Sequence, residues 1–171
     1  MISESVNNKI DFLVTEAFKC NRTLDRGMSL INVKFKLLKT AKILHESLAH
    51  HFLEMADFLS NFQGDMGMLT VYGETPTADY NVSNYIELFE MFLDYFIKYK
   101  DAIEDVIDFC SFEKDHMTKS TLMEYLVNFK PYIVSMVNVL DAAKDYGIAP
   151  LNMRLFDDEI DDFLTIPIVG D

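Results

Sequence analysis

The stretch GDMGMLTVYGETPTADYN, residues 64–81, decides the fold. It holds three of the six glycines and one of the four prolines, so it reads as a connection between elements. Its 18 residues can span a helix about 50 Å long at roughly 3.3 Å per residue. The helices on either side can therefore lie parallel, whereas the usual link of about 2–8 residues would fold them back antiparallel. A loose loop between antiparallel helices is the alternative; the apolar cluster Leu69, Val71 and Tyr72 favours a packed segment.

On the N-terminal side of this stretch the spacing predicts two helices. Val6, Ile10, Leu13, Ala17, Cys20 and Leu24 share one face of a first helix over about residues 3–26, with Gly27 as its stop. Ser29 is a candidate N-cap for a second helix over about 30–63, whose stripe runs through Leu30, Leu37, Ala41, Leu44, Leu48, Met55 and Leu59. On the C-terminal side, Tyr85, Phe89, Phe92, Phe96, Tyr99, Ile103, Val106 and Cys110 form the apolar face of a third helix over about 83–111. A short polar turn leads to a fourth over about 116–146, with Gly147 as its C-terminal stop and Pro131 expected to kink or break it. Residues 1–147 form one helical domain in this reading, and 148–171 an acidic and apolar tail. Gly and Pro are too scarce for a many-stranded fold, so the chain reads as all-α.

Half of the residues are hydrophobic and 13% aromatic, enough for a core without staples. Cys20 and Cys110 lie in apolar helical surroundings and read as reduced core thiols, with a disulfide or a reactive thiol as the alternative. No apolar run reaches the ~20 residues of a bilayer span and no secretory signal is visible, so the expectation is a cytoplasmic protein that does not enter a membrane. The net charge of −13 is uneven: residues 1–45 carry +4 and the remainder −17. That balance disfavours nucleic-acid binding, which needs a basic surface, and favours contact between copies or with a basic protein partner. No phosphate loop, nucleophile elbow or paired-carboxylate motif is present, so the chain leans away from enzymatic function.

The one dense cluster of metal-ligating types is HESLAHHFLEMAD, residues 45–57. At uniform helical spacing Glu46, His50, Glu54 and Asp57 share a face, while His45 and His51 turn toward the apolar stripe. His50 with Glu46 and Glu54 could hold a surface metal, iron or another divalent ion. His45, His51 and Glu54 could instead face a neighbouring subunit, and a solvated face with two bundle-bonded histidines is the plain alternative. The order His-Glu-x-x-Ala lacks the second zinc ligand of a His-Glu-x-x-His protease.

Leu44-His45-Glu46 followed by Phe52, Glu54, Met55, Ala56, Asp57, Phe58 and Leu59 resembles the second helix of Dps-like mini-ferritins, and the likeness in helix order covers about residues 30–145. The resemblance implies a ferritin-like four-helix bundle with one long crossover between its second and third helices. It also implies ferroxidase chemistry, for which His45 matches the second-helix histidine. The other ligand positions fall on Ala49, Ser60, Gly64 and a site near Val33, so the resemblance implies a degenerate or altered iron site. The Glu-x-x-His of ordinary di-iron bundles occurs once, Glu113 to His116, before the fourth helix, while Glu124 offers a carboxylate on the interior half of that helix. The expected role is structural or binding, in a homo-oligomer; active iron oxidation and storage is an alternative.

The tail PLNMRLFDDEIDDFLTIPIVGD interleaves Asp157, Asp158, Glu159, Asp161 and Asp162 with Phe156, Ile160 and Phe163, followed by Leu164, Ile166 and Ile168. It reads as a docking segment for the basic patch near Arg22, Arg26, Lys34 and Lys36 on another subunit, or for an external basic partner. In the latter case the chain would be an acidic interaction protein, such as a phage-encoded inhibitor of a nucleic-acid-binding protein. The LTIPIVG ending resembles the cargo-loading peptides of ferritin-like proteins packed in encapsulin shells, with Pro167 where those have Gly. A poorly ordered tail is the remaining alternative.

Overall fold

A computed structural model describes residues 2–168. Among these residues the chain forms α1 (Glu4–Val33), α2 (Leu38–Leu44), a π-helical turn (His45–Ala49), α3 (His50–Asp65), α4 (Tyr85–Phe112), α5 (His116–Tyr146), α6 (Pro150–Asp158) and a 3₁₀ turn (Ile160–Phe163), with no strand. Helix α2, the π turn and α3 follow one another without interruption. The four long rods start on side-chain caps where the chain supplies them: Ser3 accepts from the Val6 amide, Asn84 from Glu87 and Asp115 from Thr118.

The segment after α3 runs as a strap along the whole of α1. Asn7 donates to the Leu69 carbonyl (3.2 Å), the Val71 amide donates to Asp11 Oδ1 (2.9 Å), and the Gly73 amide donates to Thr15 Oγ1 (3.0 Å). Further on, Tyr80 donates to the Thr23 carbonyl, Arg26 Nε to the Tyr80 carbonyl, and Lys34 Nζ to Asn81 and to the Val82 carbonyl. From Asn7 to Lys34 is about 40 Å of helix, which the extended stretch from Leu69 to Val82 matches at about 43 Å. The strap delivers α4 to the far end of α1. Helix α4 then returns antiparallel to α1, with Phe92 against Gly27 at one end and Lys9 over the Phe109 ring (5.3 Å) at the other. Helices α3 and α4 are thereby parallel, as expected from residues 64–81.

The first helix does not stop at Gly27, and Ser29 is not a cap: α1 continues to Val33. The glycine serves a close approach. A Cβ at residue 27 would lie 2.1 Å from Phe92 Cζ, and Phe92 is fully buried. The chain turns instead at Lys36, in the left-handed region (φ 61°), with the Phe35 and Leu37 amides donating to the Leu30 and Ile31 carbonyls. The second rod therefore begins at Leu38. Helix α5 continues as one helix past Pro131, so of the expected kink or break the break does not occur.

The core is aromatic along its length: Tyr85, Phe89, Phe92, Phe96 and Tyr99 of α4 are buried, and Phe96 and Tyr99 meet Phe52 of α3 and Phe129 of α5. The tail belongs to it. Phe156 of α6 is fully buried against Tyr85 (5.2 Å between ring centres), Phe89, Tyr146 and Phe163. Ile160 and Ile166 are buried too, while Phe163, Leu164 and Ile168 pack partly buried on the same core. Asp157 supplies the cap that Leu37 cannot: its carboxylate accepts from the Thr40 amide (2.7 Å) and the Lys39 amide (3.4 Å) at the start of α2. Lys39 Nζ pairs with Asp161 (2.7 Å) and donates to the Asp158 carbonyl, while Glu159 accepts from Tyr146. Thr165 reaches Ser135 and the Pro131 carbonyl on α5. The apolar anchors Phe156, Ile160 and Ile166 pack on the chain's own bundle, instead of lying free for the expected docking onto Arg22, Arg26, Lys34 and Lys36 of another copy or onto an external basic partner. Val169 and Gly170 of the LTIPIVG ending lie outside the described residues.

Two substitutions test this packing. Gly27→Ala gains helix propensity but must displace the buried Phe92 ring, so it should lower unfolding free energy by about 1–3 kcal/mol in urea titration. Phe156→Ala should cost about 3–5 kcal/mol by the same measurement, a loss that a free tail would not show.

Candidate metal centre

The π turn determines which side chains meet. In an unbroken α-helix His45 and His50 would point about 140° apart, since each residue turns by about 100°. A π turn closes its hydrogen bond at i+5, so the two stack one above the other. The His50 amide donates to the His45 carbonyl, and the rings lie 4.3 Å apart, tilted by 60°. Asn21 of α1 holds the end of the turn by donating to the buried Ala49 carbonyl (2.9 Å).

Around this pair the donor atoms of His45, Glu46 and His50 all lie within 4.8 Å of one another, half-buried. Glu46 Oε2 is 3.2 Å from His50 Nδ1. Asp25 Oδ1, from α1, is 3.0 Å from His45 Nδ1, yet it is closed off from solvent and takes no well-aligned hydrogen bond. Asp25 was not among the residues singled out from the sequence, because its meeting with His45 depends on the register of the α1–α2 hairpin, which the misplaced turn conceals.

Glu54 and Asp57 follow His50 along the same regular helix but stand outside the cluster, Glu54 being engaged by His51. The π turn shifts the phase between its two ends. His51 points away from the cluster, lying flat on Tyr132 (3.4 Å between ring centres, 4° between planes) with Nδ1 3.2 Å from Glu54 Oε2. Asp57 is exposed further along α3. Glu113, His116 and Glu124 are exposed as well, and Glu124 does not reach the interior.

The bundle interior carries other chemistry. Tyr99 and Tyr125 share a hydrogen bond of 2.7 Å, and the Leu13 and Met55 carbonyls each lie 3.2 Å from one of the hydroxyls, so that one phenol donates to the other and the second donates to its carbonyl. Burial holds both phenols well above their ordinary value. Cys20 lies beside them, its thiol pushed up to about 12 by burial, and Cys110 is raised to about 11 for the same reason. Both cysteines are free, buried and poor nucleophiles in the fold. Among the described residues no Glu or His is buried, and the one buried carboxylate, Asp11, is engaged by Gln63 and the strap.

No protein-family model matches the chain, and no curated protein matches its sequence. Its structure is similar to those of ferritins. A humanized archaeal ferritin aligns with a TM-score of 0.85 at 15% identity, over 99% of this chain and 100% of that one. An open-pore ferritin from the hyperthermophilic archaeon Archaeoglobus fulgidus gives 0.84 at 15% identity over 94% and 97%, and Chlorobium tepidum ferritin 0.78 at 22% over 95% and 99%. The chain has the ferritin-like helical fold, and the similarity takes in the tail as well as the four long rods. No helix among the described residues is long and apolar enough to cross a membrane.

His51 gives the site region a measurable pH dependence. Burial lowers its pKa below the usual value, and the hydrogen bond with Glu54 offsets this in part. Between that lowered value and about 6.5 the unfolded chain binds a proton that the folded chain refuses, so stability rises with pH across the window. The difference in unfolding free energy between wild type and His51→Phe, which keeps the stack on Tyr132, should grow in the variant's favour as pH falls from 7 to 5.

Proposed function

We propose that this chain is a self-associating ferritin-fold subunit with a structural or binding role, its interior given over to packing instead of iron oxidation. The observation that carries this reading is the filling of the bundle centre by Tyr99, Tyr125, Phe52, Phe129 and Cys20. Di-iron bundles direct Glu and Glu-x-x-His ligands inward from their helices. The donors present here do not fit an iron pair: buried phenols and a buried thiol, held protonated, stand where carboxylates and imidazoles are needed. Assignment to the Dps-like branch has narrower support, since it rests on residues 44–59 read in one register and the π turn interrupts that register.

Self-association is supported by an apolar strip along α1 and the strap. Phe12 is 49% exposed, Leu69 88%, Val71 63% and Tyr72 60%, and Phe12 and Val71 line one shallow depression. The ferritin neighbours, matched along nearly their full lengths, favour the same conclusion. The alternative of an acidic inhibitor of a basic partner loses its main support, because the tail's aromatic anchors are turned inward. A cytoplasmic location remains part of the proposal.

Size-exclusion chromatography with light scattering should find a species larger than the monomer, which Leu69→Glu with Val71→Glu dissociates without loss of helicity; a wild-type monomer at micromolar concentration would refute self-association. Aerobic Fe²⁺ should be oxidised no faster than in buffer. Oxygen consumption above that rate, abolished by His45→Ala with His50→Ala, would instead establish the mini-ferritin alternative.

A further inference from the structure

We infer that His45, Glu46 and His50 form a surface binding site for a borderline transition-metal cation, Zn²⁺ or a metal of similar preference, with Asp25 as a carboxylate partner to His45. The inference goes beyond the proposed function, because the site lies on the flank of the α1–α2 hairpin, outside the bundle interior, and needs no redox step.

Three observations converge on it. First, the π turn is what brings the imidazoles together, and its register is tied from outside by Asn21. Widened turns of this kind recur at functional positions. A plain helix would have been the lower-energy default here, and it would have separated the two rings. Second, the donor set is two imidazoles and one carboxylate within 4.8 Å, on a half-exposed surface that leaves room for water as a fourth ligand. Imidazole selects Zn²⁺, Ni²⁺ and Cu²⁺ over Mg²⁺ and Ca²⁺, which take oxygen ligands. Third, Asp25 Oδ1 is shielded from solvent, 3.0 Å from His45 Nδ1, and lacks a well-aligned donor. Metal-bound imidazoles recurrently have such a carboxylate at the other ring nitrogen, where it orients the ring and raises its basicity. A cation on the opposite nitrogen would give this carboxylate a more acidic N–H to accept. The neighbouring His51 also has a carboxylate, Glu54, at Nδ1, but it is stacked on Tyr132 and stands outside the cluster.

The test uses the full chain and Zn²⁺ as probe. Isothermal titration should show one Zn²⁺ per chain, and Co²⁺ in its place should give visible ligand-field bands. Affinity should fall more than about tenfold in His45→Ala and in His50→Ala and about tenfold in Asp25→Asn, with His51→Ala and His116→Ala unchanged. Mg²⁺ in excess should not compete. Zn²⁺ should also raise the wild-type melting temperature, since it binds only the assembled turn, a readout that does not depend on any variant folding. Absence of a Zn²⁺-dependent rise, or titration curves identical in wild type and the His45→Ala, His50→Ala double variant, would overturn the inference. Neither result bears on iron oxidation or on assembly, so it leaves the proposed function standing or falling separately.

Discussion

Asp11 Oδ1 accepts from two sides at once, Gln63 of α3 and the Val71 amide of the strap, and most of the architecture hangs on that kind of contact. An extended segment has no internal hydrogen bonds, so its backbone groups must find partners wherever it passes over protein. Helix α1 provides them from one flank: Asn7, Asp11, Thr15, Thr23, Arg26 and Lys34 each meet the strap, and several are buried in doing so. Gln63 completes the network by donating to Asn7 and accepting from Thr70. These polar contacts fix the path of the strap, and the path decides that α3 and α4 run in the same direction.

The second rod is where local geometry and chemistry are joined. A single widened turn changes the phase of everything after residue 49 relative to everything before it. The apolar stripe survives, because Leu44, Leu48, Phe52, Met55 and Leu59 are still buried. The change falls on His45, which the turn carries over to His50, while His51 pairs with Glu54 within α3. A uniform period therefore describes the buried face of this rod well and its functional face badly.

The elements legible in the sequence were those set by local rules. The glycine-rich connection, the aromatic face of α4 and the Gly147 end of α5 announce themselves through composition, period and caps. What stayed hidden depends on tertiary partners. Gly27 reads as a stop until Phe92 is known to press on it, and Lys36 carries no sign of the left-handed backbone it adopts. The acidic and aromatic tail has the right composition for docking, but only the open end of the bundle beside Tyr85 and the uncapped start of α2 explain why it docks at home. Of the candidate metal ligands, the pairing of His50 with Glu46 follows from helical spacing, whereas the addition of His45 was hidden, because it is made by a turn with no sequence signature.

The carboxylate that closes the start of α2 belongs to Asp157, 117 positions further along the chain. Polypeptides leave the ribosome in order, so the second rod is synthesised long before its N-terminal amides can meet that carboxylate. Until then water alone serves the Lys39 and Thr40 amides, and the nascent hairpin of α1 with α2 and α3 keeps a frayed corner. Closure of this corner is thus a late event in biogenesis, coupled to the arrival of Phe156 between Tyr85 and Phe89. A truncation just ahead of α6 would leave four rods correctly threaded and one junction permanently ajar.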